Sequence, residues 1–480
     1  MNKTFDICII GAGAGGSTLA YALLKQSKNI RIALIEKSCD EDILFTKKLF
    51  GVPITQYSGL GGTSQIWGGA CLPIEKKEFS SWPIDYKEIR EYYNKSLDLL
   101  GLENLDFYKE AIKNIDLQSD IRKLISQDFL TNELQPRVVQ QLLPAPNLFN
   151  LFNLSKSNNI TLFNGFKGIN LEQQNERITL LNASNGKKKI AIRSKKFVLC
   201  CGALNTPALL LNSRRLSNNI HFKNPNIGKF LSDHPMSFLA QIQTPAKIRA
   251  SYLHRVKVDK KIRHKVGFGI MNNDSNITPN FYLIPSFSKK SPLKTEEIKK
   301  AMLTIKEKSL SISNILKLIV NPGIVLQIIY YLWINNPKVN VFDIWFIAEQ
   351  TPNINSYVDI IEQLNDYKLV VNWEILENDY EDFLKDINSF LNILEKSHNK
   401  ITHRPSLLDL KNCLTSASHH MSTCKMASSH RSGVVDGDLK MFDTENLYIC
   451  DASVIPKSGH SNPTLTIMSL ALRLAENIDV

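Results

Sequence analysis

No two cysteines in this sequence are spaced C-x-x-C, although its 480 residues include eight of them. That spacing marks many zinc sites and thioredoxin-type redox centres and, with a following histidine, covalent haem attachment. Cys8, Cys39, Cys71, Cys200, Cys201, Cys413, Cys424 and Cys450 are scattered instead, several inside apolar runs. The pattern fits buried thiols in a reducing compartment, with no disulfide framework and no metal site. A charged-then-apolar leader is also missing. Met1 to Asp6 runs straight into an apolar strand, so a cytoplasmic protein is expected. No uninterrupted apolar run reaches membrane-spanning length. The most apolar stretch, 315–334, is broken by Lys317, Asn321, Pro322 and Gly323. It reads as a buried helix, with peripheral contact to a membrane surface as the alternative. Long Lys/Arg blocks and RNA-binding motifs are absent too. The net charge of +12, from 58 Lys and Arg against 46 Asp and Glu, therefore reads as a solvated basic surface, and no nucleic-acid partner is expected.

What remains is an ordinary globular composition, 43% hydrophobic and 22% charged, in a chain long enough for two or three cores. The opening reads strand, Gly-rich turn, helix, strand: Phe5 to Ile10, then Ser17 to Leu24 at helical spacing, then Ile30 to Ile35 closed by Glu36. Residues 75–150 read as mixed helix and loop. Short strands follow at Ile160 to Phe163, Gly168 to Leu171, Ile178 to Leu181 and Lys189 to Ile192, with Asn185-Gly186 as a hairpin signal. From about 236 alternating strands suggest a separate antiparallel sheet, including Ser237 to Gln243, Lys265 to Ile270, Phe281 to Ile284 and Val339 to Ile347. Tyr357 to Ile361 and Leu369 to Trp373 read as its continuation, with Asp382 to Lys396 as a covering helix. The chain ends in the strand Leu447 to Cys450 and a helix from Leu465.

Gly11-Ala12-Gly13-Ala14-Gly15-Gly16 is G-x-G-x-x-G between a strand and a helix. Gly11 permits the tight turn, Gly13 lets backbone approach a pyrophosphate, and Gly16 lets helix and strand pack closely. The helix N-terminus adds free N–H groups and a positive dipole end. Glu36 lies 20 residues after Gly16, where a carboxylate can accept bonds from ribose hydroxyls and repel a 2′-phosphate. The fingerprint indicates a dinucleotide other than NADP but does not separate FAD from NAD.

Five further segments occur in a recognisable order. They are Gly61-Gly62-Thr63-Ser64-Gln65-Ile66-Trp67-Gly68-Gly69, Gly202 to Leu211 (GALNTPALLL), Asn226 to Pro235 (NIGKFLSDHP), His419-His420-Met421-Ser422-Thr423-Cys424-Lys425-Met426 and Ser461-Asn462-Pro463-Thr464-Leu465-Thr466. Together they resemble the glucose–methanol–choline FAD-dependent oxidoreductases, in a bacterial form whose flavin loop is similar to that of pyranose oxidases. The resemblance implies an α/β fold with a Rossmann-type FAD-binding domain and an antiparallel-sheet substrate domain carrying helices on one face. The expected division is 1–235 and 410–480 for FAD and 236–409 for substrate. It further implies that Gly61, Gly62, Thr63, Ser64 and Trp67 lie against the flavin, and that Asp451 and Ala452 pass its ribityl and pyrophosphate portion. Pyranose oxidases carry a flavin-linked His immediately before this Trp. Ile66 stands there in this chain and cannot form the bond, so non-covalent FAD is expected. Ser422 and Ala427 replace glycines usual in the His segment, and both are small enough to keep the backbone path.

Alcohol oxidation needs a base for the O–H proton and an acceptor, flavin N5, for the C–H hydride. The resemblance makes His419 the base and Asn462 the donor to the developing oxygen charge. His420 is the one-residue alternative for the base, and His460 is a candidate pocket residue. Asp233-His234 reads as a structural turn and Cys424 as an inert buried thiol. The expected substrate is a small-molecule alcohol: a sugar, polyol, aminocyclitol or secondary-metabolite CH–OH. The electron acceptor is O2, a quinone or a redox protein. A flavin-bearing lyase and a non-catalytic FAD-bound subunit are the rival readings.

Overall fold

A computed structural model describes residues 4–38, 43–46, 57–115, 121, 124–217, 220–249, 256–257, 261–271, 278–286, 322, 338–363 and 366–480. Apart from Pro322, the 315–334 stretch lies outside these residues. Among the described residues no helix is long and apolar enough to cross a membrane.

The first core is a parallel sheet in the order Ile160–Asn164, Ile32–Glu36, Thr4–Ile10, Lys189–Leu199, Leu447–Ile449. Its central strands are apolar nearly throughout, with Ile7, Cys8, Ile9, Ile32, Ala33 and Leu34 fully buried, as layers on both faces require. Lys189–Leu199 is long enough to serve two partners. Its second half pairs with the first strand, and its first half joins the antiparallel meander Lys167–Gln174 and Arg177–Ser184. The expected hairpin is present, with Gly186 at φ +83°. One face of the sheet is covered by Ala14–Gln26, Tyr86–Leu100 and Pro463–Asn477, which pack together. Inside that layer Tyr93 Oη lies 2.9 Å from Thr466 Oγ1, and Ser96 Oγ lies 3.0 Å from Ser469 Oγ.

The second core is built on an antiparallel sheet of Pro235–Arg249, Lys338–Ala348, Pro279–Pro285, Ile262–Ile270 and Leu134–Leu142, with shorter strands at the edges. The helix Glu377–Lys396 lays Phe383, Ile387, Phe390 and Leu394 on one face. Phe390 stacks on Phe281 with ring centroids 4.4 Å apart. The opposite face presents Met236, Phe238, Tyr282 and Trp345 to the first core.

Two expectations are corrected. Leu134–Leu142 is a nine-residue strand inside the segment read as helix and loop, and it pairs with Ile262–Ile270 at every position. Pro136 argues against a strand in sequence reading, and burial on both faces removes the alternation that would have revealed it. Tyr357–Gln363 and Asp366–Asn372 do not continue the antiparallel sheet. They form a separate three-stranded sheet with Ile43–Phe45, packed on Leu204, Ala208 and Leu231.

Candidate active site

A cavity of about 420 Å³ runs along the carboxyl ends of the parallel strands. Its wall begins at the glycine fingerprint. Gly11 has φ +104°, and a Cβ there would collide with the Cys200 carbonyl oxygen. A Cβ on Gly16 would collide with the Gly11 carbonyl, so this glycine serves strand–helix packing and does not face the cavity. Gly13 does face it. The helix that starts there has no side-chain cap and no acidic residue in its first turn, which leaves its N–H groups for an anion. Gly62, at φ +52°, packs against Gly13, so the two glycine loops close on each other.

Glu36 lines the cavity but does more than the sequence suggested. Its Oε2 accepts from the Ala12 N–H at 2.5 Å and its Oε1 from the Gly59 N–H at 3.1 Å. The carboxylate thereby ties the fingerprint turn to the second glycine loop. Burial pushes its pKa up, against the pull of those N–H groups. In the second loop Thr63, Ser64 and Trp67 line the cavity, while Gly61 lies behind it against the Asn147 amide. Ser64 donates to Gly61 O at 2.6 Å and accepts from Leu148 N at 3.0 Å, and Trp67 Nε1 donates to Pro146 O at 2.8 Å. Ile66 is exposed at the rim. Asp451 and Ala452 also line the cavity. Asp451 accepts from the Thr206 hydroxyl at 2.6 Å and the Gly202 N–H at 2.9 Å, which locks the last strand to the helix Gly202–Leu216. An N–H cradle open at Gly13, paired glycine loops and a carboxylate at the second strand's end fit a dinucleotide.

Ala417, Ser418, His419, His420 and Asn462 also line this cavity. Asn462 occupies the N-cap of the final helix, and Pro463 at the first helical position holds it extended, with ψ 132°. His419 Nε2 lies 3.2 Å from Asn462 Nδ2, so side chains 43 residues apart meet. Behind His419 lies His234, their Nδ1 atoms 2.9 Å apart, and His234 Nε2 is 2.9 Å from the Ser458 carbonyl. Asp233 Oδ1 accepts from the backbone N–H of both His234 (2.6 Å) and His419 (3.0 Å), and its Oδ2 accepts from Ser416 at 2.6 Å. The Asp233-His234 segment, read as a structural turn, is therefore the mount of the histidine loop. Burial, then the neighbouring His234, lowers the His419 pKa to about 3, with Asp233 opposing. Burial lowers His234 and His420 as well. These imidazoles are neutral at ordinary pH.

His420 lines the cavity, its Nε2 3.5 Å from Asp233 Oδ2 and without a hydrogen-bond partner. His460 does not line it. It is buried behind, 3.1 Å from Glu78 Oε1 and 3.9 Å from Glu75 Oε1. Burial would push the Glu75 carboxyl up, but Arg137, whose Nε donates to it at 2.7 Å, with the neighbouring His460 and Lys77, holds it down at about 2, so this is an ion-pair cluster. Cys424 is fully buried, and burial raises its thiol pKa. Sequence reading missed the contact of His234 with His419, since no periodicity links positions so distant. Its one signal was that Asp233-His234 falls inside a motif of the resemblance.

Two family models, both described as GMC oxidoreductase, match residues 151–236 and 357–471. Long-chain-alcohol oxidase FAO1 of Arabidopsis thaliana is 28% identical over 96 residues, 20% of this chain and 12% of that protein. Cholesterol oxidase of Acinetobacter baumannii is 46% identical over 55 residues, 12% of this chain and 10% of that protein. The matched regions thus span about a tenth of those relatives. Among solved structures, pyridoxine 4-oxidase from Mesorbium loti superposes with TM-score 0.62 at 14% identity, covering 99% of both chains, a likeness of fold.

Proposed function

The chain belongs to the GMC oxidoreductase family, and on that premise we propose that it oxidises an alcohol carbon with FAD as cofactor and His419 as base. One observation carries the reading. A neutral histidine and an amide donor, 3.2 Å apart, line the same cavity as the glycine loops that form a dinucleotide cradle. When bound, FAD supplies the hydride acceptor. Gly13, Ala14 and Gly15 would hold its pyrophosphate, Glu36 its ribose, and Thr63, Ser64 and Trp67 the far side of the flavin.

His419 contributes an uncharged Nε2 lone pair, which takes the hydroxyl proton as the C–H bond is oxidised. The Asn462 amide donates to that lone pair before substrate enters; once the alcohol hydroxyl takes its place at Nε2, the amide N–H serves the substrate oxygen, where negative charge grows. Asp233 opposes the burial that would make the resulting imidazolium costly. The donor is a sugar, polyol, aminocyclitol or secondary-metabolite alcohol. The relatives named for long-chain alcohols and cholesterol support a CH–OH donor. Ile66 supports non-covalent FAD. The described cysteines are all free, which supports a reducing, cytoplasmic setting.

The test is an anaerobic screen of alcohols for bleaching of the purified yellow protein, with acid precipitation alongside. Bleaching by an alcohol and release of all colour to the supernatant are expected. Turnover of a substrate without bleaching would replace the proposal with a lyase, and colour in the pellet would overturn non-covalent binding.

A further inference from the structure

Resting on the reading of His419 as the base, we propose that His234 is a positioning residue that fixes the tautomer of His419, placing its lone pair on the nitrogen that faces the cavity. The proton positions follow from one fixed point. The Ser458 carbonyl can only accept, so His234 Nε2, 2.9 Å away, carries a proton. His234 is fully buried, and its desolvation holds the ring neutral. Its Nδ1 is therefore a lone pair. His419 Nδ1, 2.9 Å from that lone pair, must donate. Its other nitrogen, Nε2, is left as the acceptor, and the Asn462 amide, 3.2 Å away, donates to it. Each of the three contacts is satisfied in one proton arrangement. The reversed arrangement would set a His234 lone pair against the Ser458 carbonyl oxygen.

The device answers a real ambiguity. Neutral histidine in water favours its proton on Nε2, which would block the cavity-facing nitrogen. The hydrogen bond made by the rear nitrogen decides which one is free. Asp233 makes the pairing rigid, since its single Oδ1 holds the backbone of both histidines. The alcohol hydroxyl displaces the Asn462 N–H from Nε2; when its O–H bond breaks the proton joins Nε2, and His419 then carries protons on both nitrogens and one positive charge. The rear Nδ1–H bond to His234 persists through that step, so the ring does not need to reorient.

The experiment uses the FAD-loaded full chain. Long-range 15N–1H correlation spectra of histidine-labelled enzyme report which ring nitrogen carries the proton. The His419 signals are assigned by their loss in His419→Asn. A protonated Nδ1 and a bare Nε2 on His419 are expected in the unaltered protein. An Nε2–H tautomer there overturns the proposal, without reference to any variant. Kinetically, His234→Leu should slow flavin reduction at saturating alcohol by roughly 10²–10⁴-fold, the range of general-base loss and of wrong-tautomer variants, with KM little changed. His234→Asn places an amide oxygen near the lost Nδ1 and should restore most of the rate. Normal reduction in His234→Leu, with slow reduction in His419→Asn, overturns the role of His234 and leaves the base assignment standing. Normal reduction in His419→Asn overturns the base assignment and this proposal with it.

Discussion

Replacing His419 by Asn should make the folded holoenzyme less sensitive to acid. In the unfolded chain His419 titrates near its ordinary value of 6.5, while in the folded protein burial lowers it to about 3. The folded pKa is depressed, so the unfolded state takes up the proton first as pH falls. Folding stability is therefore intact above about 6.5 and erodes between 6.5 and 3. With one proton of difference the slope approaches about 1.4 kcal/mol per pH unit. Integrated from pH 8 to pH 5, one such histidine removes about 2 kcal/mol. Its cavity-facing edge moderates the desolvation, so this is a ceiling. His234 and His420 act in the same direction, whereas Glu36 and Asp451, whose pKa values are raised by burial, act in the opposite one. The Glu36 and Asp451 contributions cancel in the difference between His419→Asn and the unaltered protein, whereas His234 and His420, which interact with His419, are read together with it. Equilibrium urea unfolding at pH 8, 7, 6 and 5 supplies that difference. The variant should lose less stability than the parent below pH 6.5, and the gap should widen toward pH 5. Parallel curves would mean that His419 protonates as easily folded as unfolded, and the case for a neutral, burial-held base would collapse.

Asn462→Ala should slow flavin reduction by about 10²-fold, as loss of an oxyanion donor does, and combining it with His419→Ala should cost less than the product of the two, because both act on one transition state. Stopped-flow measurements at saturating alcohol decide this, and full multiplicativity would separate the two roles. Ser422→Gly should raise stability by about 1 kcal/mol, since Ser422 has φ +74° and its buried hydroxyl has no partner; an unchanged urea midpoint would show that the strain is relieved elsewhere. Glu36→Ala should weaken FAD retention by roughly 1–3 kcal/mol, because the Ala12 and Gly59 N–H groups lose their acceptor and the proposed ribose contact is removed with it; dialysis against apoprotein measures it, and unaltered retention would remove Glu36 from the site. Arg137→Met should destabilise by about 3–5 kcal/mol, since Glu75 keeps its charge with its main partner gone. A loss under 1 kcal/mol in urea unfolding would show that Lys77 suffices.

Local signals carried most of the fold. The fingerprint and Glu36 specify strand, turn and helix within a short stretch, and the Asn185-Gly186 turn forms where its backbone preference predicts. The pairing of His419 with Asn462 was accessible only through resemblance, since no local property joins two loops that far apart. Features that tertiary context decides stayed hidden. Leu134–Leu142 contains Pro136 and three glutamines, a composition that becomes a strand only because Ile262–Ile270 offers it a full partner. Tyr357–Gln363 and Asp366–Asn372 have the pattern of the larger sheet but follow the short strand Ile43–Phe45 instead, and pairing choice of that kind is not written in periodicity. His234 looked like a turn residue because its role is defined by a ring brought in from 185 positions away.

The parallel sheet also sets an order of events during synthesis. Its first strand, Thr4–Ile10, is translated before both of its neighbours; one of them is Lys189–Leu199, and that strand's own outer partner is Leu447–Ile449. The glycine cradle is thus translated long before the strand, helix and Asn462 that complete the same cavity. Between those two points of synthesis a nascent chain holds only part of this cavity's wall. The complete cavity therefore exists only once the closing helix is made, and until then its apolar strands are exposed in the way that makes growing chains aggregation-prone.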